Sequence, residues 1–234
     1  MKKEKPKFDI TKCCYQENTV NLARLCDPYT AKIARFVYDT FGISANAMTL
    51  ITFIISIISL SVLFFVRTYE GLVISAILIL IRNLTDTLDG KIARGTGTIT
   101  PVGGFTDLIT DWLFYHAAFF IIVGYLTDNI FIGFLCVTGY MSREFARRKF
   151  TEKYGNKITE VSEAKKIPFV VSVVKKYNLG EVTILTPLAL VLIPPVWIIY
   201  FVAFMEYSLL LAELSFDYYC FFKKKNEKIE FSAE

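Results

Sequence analysis

Residues 82–111 read RNLTDTLDGKIARGTGTITPVGGFTDLITD, with long apolar runs on both sides. Aspartates stand at Asp86, Asp89, Asp107 and Asp111. The first pair is spaced i, i+3 and the second i, i+4, and either spacing puts two carboxylates on one face of a helix. Ionisable side chains at or inside a membrane are costly and mark function by default. Four carboxylates gathered at one place are most simply explained by bound divalent metal. Ligands that are oxygen only select hard cations, Mg2+ or Mn2+. Four negative charges repel strongly in a low-dielectric site, so two ions relieve the field better than one. Paired ions also suit transfer of a phosphorus group, because they stabilise both the entering and the leaving oxygen.

The residues between the pairs fit a diphosphate. Gly90 removes a side chain where a ligand approaches the helix, and Ala93 is small on the face of Asp86. Arg94 supplies a fixed cation, and Thr100 a hydroxyl. Small residues also serve close helix packing, so the weight lies on the combination rather than on any one position.

The rest of the chain reads as membrane. Of 234 residues, 54% are hydrophobic and the mean hydropathy is +0.45, well above a soluble domain. A net charge of +4 gives a nucleic-acid role no support. The basic N-terminus is not followed by an apolar core, so it does not read as a cleavable signal. The cysteines have neither zinc spacing nor a disulfide framework, and Cys13-Cys14 reads as a cytosolic thiol pair. His116, the one histidine, lies in an apolar helix and reads as packed core.

In chain order, residues 1–15 read as a loose cytosolic tail. Residues 18–41 alternate apolar with basic side chains, as in an amphipathic helix on the membrane surface. Pro28 is expected to break that helix or begin a new one. Crossings are expected over 45–66, 71–93, 102–126, 130–145, 180–193 and 196–222, each apolar and most long enough to span a bilayer. The segment 180–193 is the shortest and must tilt or be locally assisted. Lys and Arg crowd the N-terminal tail, the Lys91/Arg94 turn, the segment from Arg143 to Lys176 and the C-terminal tail, while the intervening loops have almost none. The expected fold is therefore an all-α integral membrane protein of six transmembrane helices with an N-terminal amphipathic juxtamembrane helix. Both termini and all four aspartates face the cytosol. The corresponding parts are 1–44 (tail and juxtamembrane helix), 45–222 (six-helix catalytic domain) and 223–234 (C-terminal tail).

The ordered set Asp86, Asp89, Gly90, Ala93, Arg94, Gly103, Asp107 and Asp111 resembles the signature of the CDP-alcohol phosphotransferases, integral membrane enzymes of phospholipid synthesis. The resemblance implies transfer of a phosphoryl-alcohol unit from a CDP-linked lipid or alcohol to an acceptor hydroxyl, with release of CMP. It implies that Asp86, Asp89, Asp107 and Asp111 hold the metals and that Asp111 also deprotonates the acceptor. Gly90, Arg94 and Thr100 would contact the CDP moiety, and Asn46, Ala47, Met48 and Thr49 would frame the nucleotide pocket. Ala45 stands where the family often has proline. Trp112 stands where members often carry a basic residue, which bears on acceptor contacts and not on the metals. Family members commonly pair as homodimers.

The acceptor is written less clearly. Arg143, Arg147 and Arg148 gather at the end of the fourth crossing and suit a phosphorylated polyol such as glycerol 3-phosphate or inositol phosphate. They serve equally as positive-inside anchors. Two other function classes fit membrane aspartates: a cation or proton transporter, and a non-catalytic membrane scaffold. Against the first, the acids sit on one side only; against the second, no motif carboxylate is replaced.

Overall fold

A computed structural model describes residues 6–13, 21–154 and 179–231, and among them all regular structure is helical. Helix α1 spans Asn21–Phe41, α2 Ala45–Phe65, α3 Tyr69–Thr96 and α4 Pro101–Leu108. A π-helical segment, Ile109–His116, joins α4 to α5, Ala117–Leu126. Then follow α6, Ile130–Tyr154, α7, Leu179–Leu192, and α8, Pro195–Phe231.

The helix ends follow from local chemistry. Ser44 caps α2 by accepting from the Ala47 N–H, and Thr68 caps α3 by accepting from Gly71. Gly97, at φ 69°, ends α3 in the left-handed conformation that a glycine adopts without strain. Thr100 caps α4, and Pro101 sits in its first turn, where a missing N–H costs nothing. The Pro194-Pro195 break separates α7 from α8, as the sequence predicts.

Helix α3 is the centre of the packing, lying against α1, α2 and α7, while α6 packs on α5 and α8. One core cluster joins Leu63, Ile79, Phe119, Val123, Leu190 and Ile199. A second surrounds the motif-bearing end of α3 and joins Phe8, Cys13, Ala31, Met48, Leu88 and Ile92. Where α5 and α6 cross, backbones touch. A Cβ on Gly133 would lie 2.4 Å from the Phe120 carbonyl oxygen, so only glycine fits.

Among the described residues, four helical stretches are long and apolar enough to cross a membrane: Ala45–Phe65, Tyr69–Thr96, Pro101–Leu126 and Pro195–Ala212. Their side chains that miss the core are exposed: Leu50 is 58% exposed, and Ile54, Ile77 and Leu80 are also open. Such wide apolar surface fits contact with lipid. Two of the six expected crossings do not meet the same standard. Helix α6 turns charged at Arg143. Helix α7 has 14 residues, a rise of about 21 Å against a hydrocarbon core of roughly 30 Å.

Two expectations about the N-terminal region are corrected. Residues 6–13 are not loose: they fold into an extended segment and one 3₁₀ turn, Ile10–Lys12, with Phe8 and Cys13 buried. Pro28 does not break α1, which runs through it. The proline sits on the exposed side, while Asp27, Thr30, Ala31 and Ala34 are buried. Packing of that face holds the helix together across the hydrogen bond that proline cannot make. Behind it, Lys91 of α3 is 1% exposed and forms an ion pair with Asp27, fastening α1 to α3. The sequence counts Lys91 with Arg94 in a basic turn; the structure puts it inside α3 and buries it.

Candidate active site

The motif folds as the end of α3, a short turn at residues 97–100 and the helical stretch that follows. Asp86 and Asp89 stand on the last turns of α3, and Asp107 and Asp111 on α4 and the π-helical segment that follows. One oxygen from each of Asp86, Asp107 and Asp111 lies within 4.8 Å of the others. Asp89 points toward α2 instead, where the Thr49 hydroxyl donates to its Oδ2 at 2.7 Å. Three carboxylates thus share one chamber and the fourth stands beside it. The π-helical turn around Asp111 is invisible to an i, i+4 count, yet such turns recur at functional sites because the extra residue re-aims the side chains that follow it.

The site contains a cation that sequence reasoning missed. Arg82, one turn before Asp86, is 2% exposed. Its Nη2 donates to Asp111 Oδ1 and lies 3.3 Å from Asp86 Oδ1. Its Nε donates to Ser56 Oγ at 3.3 Å, and its guanidinium carbon stands 4.2 Å from the centre of the Tyr115 ring. The signal was present: an arginine inside an apolar run, four residues before an aspartate, needs a partner.

A cavity of about 430 Å³ opens beside the carboxylates, a size suited to a small-molecule ligand. Asn46, Thr49, Asp89, Gly90, Arg94, Thr100 and Asp107 all line it. Gly90 leaves room for Arg94, whose Nη1 would lie 3.1 Å from a Cβ at that position. Gly103 lets the start of α4 approach α2: a Cβ there would meet Thr100 Oγ1 at 3.0 Å and Asn46 Oδ1 at 3.5 Å. The Thr100 hydroxyl accepts from the Gly103 N–H. Ala47 and Met48 are not among the lining residues. Positions 46 and 49 share one helical face, which turns Ala47 outward and Met48 into the core against α1 and α3.

The folded N-terminal segment packs behind Arg94, one of the residues lining this cavity. The Asp9 N–H donates to the Gly95 carbonyl at 2.8 Å, the Tyr38 hydroxyl donates to the Pro6 carbonyl at 2.9 Å, and Arg94 Nε donates to the Cys13 carbonyl at 3.3 Å. A Cβ on Gly95 would lie 2.8 Å from both Cys13 Sγ and the Phe8 ring. Gly95→Ala is therefore expected to lift this strap at an overpacking cost of about 1–3 kcal/mol. Faster maleimide labelling of Cys13, mapped by peptide mass, reads the displacement; unchanged labelling would show that the strap accommodates the methyl group.

Of the three arginines expected to bind an acceptor, one is engaged by another helix. Arg143 is buried and its Nη1 stands 3.3 Å from Glu206 Oε2 on α8, so it joins two helices. The side chains of Arg147 and Arg148 fall outside the described residues. His116 packs between the Tyr115 and Tyr140 rings, as a core histidine does, and Trp112 packs edge-on against Tyr140.

A bifunctional IPC transferase and DIPP synthase of Thermococcus kodakarensis is 26% identical over 131 residues, which is 54% of this chain and 29% of that protein. The alignment thus spans less than a third of that relative's length. Residues 43–212 match the CDP-alcohol phosphatidyltransferase family, a stretch that begins just before α2 and holds the carboxylates and the cavity. This protein therefore belongs to the CDP-alcohol phosphatidyltransferases, membrane enzymes that transfer substituted phosphate groups.

Proposed function

We propose that the protein transfers a phosphatidyl-type group from a CDP-activated lipid or alcohol to an acceptor hydroxyl, releasing CMP, in phospholipid biosynthesis. The observation that carries this reading is the juxtaposition of Asp86, Asp107 and Asp111, with oxygens within 4.8 Å, and a cavity lined by Asn46, Gly90 and Arg94.

The donor set fits hard divalent ions, Mg2+ or Mn2+, two of them by the charge argument. All candidate ligands are carboxylate oxygens, and Asp86 Oδ1 is shielded from solvent without a hydrogen-bond partner. Asp86, Asp107 and Asp111 would hold the metal, with Asp89 beside them. When bound, metal would neutralise diphosphate charge and acidify the acceptor hydroxyl. The protein's own residues do the rest. Arg94 pairs with a diphosphate oxygen, while Asn46, Thr49, Gly90 and Thr100 receive the CDP moiety. Asp111 takes the acceptor proton as the acceptor oxygen attacks the phosphorus bearing the lipid alcohol. The bond from that phosphorus to the bridging oxygen breaks, and the electron pair leaves with CMP.

The finer arrangement belongs to the same reading: six crossings, a homodimer, both termini and the cavity on the cytosolic side, and α1 lying on the membrane surface. The exposed apolar side chains of α1, Leu25, Tyr29, Ile33 and Phe36, with Lys32 and Arg35 beside them, support the last of these. The proposed acceptor is a phosphorylated polyol. Its support is the basic end of α6, where Arg147 and Arg148 stand, because Arg143 is engaged with Glu206.

Purified protein should be incubated with a CDP-lipid, Mg2+ and a panel of acceptors that includes glycerol 3-phosphate and inositol phosphate. CMP release, a product of matching mass and loss of both on adding EDTA are expected. CMP release with no acceptor in the panel, or release indifferent to EDTA, would contradict the acceptor class or the metal dependence respectively. No CMP under any condition would remove the enzymatic reading.

A further inference from the structure

We infer that Arg82 is a built-in counter-ion of the carboxylate chamber: its Nη2 lies between Asp86 and Asp111, two of the three carboxylates that would hold metal, keeping Asp111 in position and weakening divalent-ion binding. The inference rests on the metal reading of this chamber and adds to it a residue outside the signature.

Four observations carry it. One nitrogen, Nη2, serves two of the three converging carboxylates: it donates to Asp111 Oδ1 and lies 3.3 Å from Asp86 Oδ1, the oxygen that has no hydrogen bond. The guanidinium is held on all sides. Ser56 of α2 takes Nε and Asn83 of α3 takes Nη1, each at 3.3 Å, and Tyr115 of the π-helical segment stacks beneath it. It is 2% exposed, so solvent does not screen its charge. It links α2, α3 and the π-helical segment, and the last two carry Asp86 and Asp111, two of the three carboxylates of the chamber.

Two consequences follow. Three like charges in one chamber repel, and a fixed cation keeps the chamber assembled when no ion is bound. The same cation repels an entering divalent ion and competes for Asp86 and Asp111, so it trades affinity for readiness. An arginine that only braced the helices would have the opposite signature, since its removal would loosen the ligands and weaken binding. Arg82 is thus a positioning residue acting through Asp111.

The test measures Mn2+ binding directly, by electron paramagnetic resonance of free Mn2+ in titrations of the full chain in detergent, without any nucleotide lipid. Wild type, Arg82→Gln and Arg82→Lys are compared, with Asp107→Asn marking the chamber as the site. Arg82→Gln removes the charge but keeps polar groups near Ser56 and Asn83. It is expected to bind Mn2+ about tenfold or more tightly, with kcat for CMP release lowered at least about tenfold and KM moved little. Arg82→Lys keeps the charge but not the fork, so Mn2+ affinity should stay within about threefold of wild type while kcat still falls. Unchanged or weaker binding in folded Arg82→Gln overturns the inference. If Arg82→Gln does not fold, Arg82→Lys decides: a larger change in its Mn2+ affinity, or an unaltered kcat, overturns it. Because binding is read without the lipid, tighter Mn2+ binding alongside absent CMP release would refute the proposed reaction and leave the role of Arg82 standing.

Discussion

Asp111→Asn is expected to lower CMP release by about 1,000-fold while the protein remains folded. The substitution removes a charged candidate ligand and the proposed base together, and loss of a general base alone costs roughly 100- to 10,000-fold. The fold is expected to survive because an amide oxygen can still accept from Arg82, which now holds Asp111 Oδ1. Asp111 also sits in a helix, where an isosteric change leaves the backbone undisturbed. Steady-state CMP release measured beside a thermal melt separates chemistry from folding. If more than about a tenth of the activity remains, Asp111 neither takes the proton nor holds the metal in a way the reaction needs.

The second large effect is on stability and lies outside the cavity. Lys91→Met is expected to cost about 3–5 kcal/mol, because it strands a buried carboxylate at Asp27. The double variant Asp27→Leu/Lys91→Met, which replaces the pair with apolar groups, should recover most of that loss. Denaturant titration in mixed micelles reads both. A loss below about 1 kcal/mol in the single variant would mean that solvent reaches Asp27 or that another cation replaces Lys91. The pair matters to function because α1 rests on the part of α3 that carries Gly90 and Arg94.

What the sequence made legible was local. Turns and apolar runs placed most helix ends, and the structure shows why: Ser44, Thr68, Gly97 and Pro101 act on neighbours within a few residues. The spacing of the aspartates announced the chamber, and the pattern from Asp86 to Asp111 announced the family. What was missed came from pairings between distant positions. Asp27 meets Lys91 across 64 residues, Arg143 meets Glu206 on another helix, and Arg82 meets Asp111 across 29. A periodicity argument sees each of these as a lone charge and assigns it to solvent. The N-terminal strap was missed for the same reason, since residues 6–13 are polar on average and fold because Gly95 leaves a place for Phe8 and Cys13. Pro28 shows the converse: a local rule against proline in a helix yields to a buried face that holds the helix on both sides.

The proposed reaction requires that Asp86, Asp107 and Asp111 hold metal against the diphosphate of a CDP-lipid. The most direct measurement is electron–nuclear double resonance at phosphorus-31 on the Mn2+-loaded protein with CDP-lipid bound. A phosphorus coupling of directly ligated diphosphate is expected, and it should disappear in Asp107→Asn. A Mn2+ signal without phosphorus coupling, or one unaltered by Asp107→Asn, would contradict it.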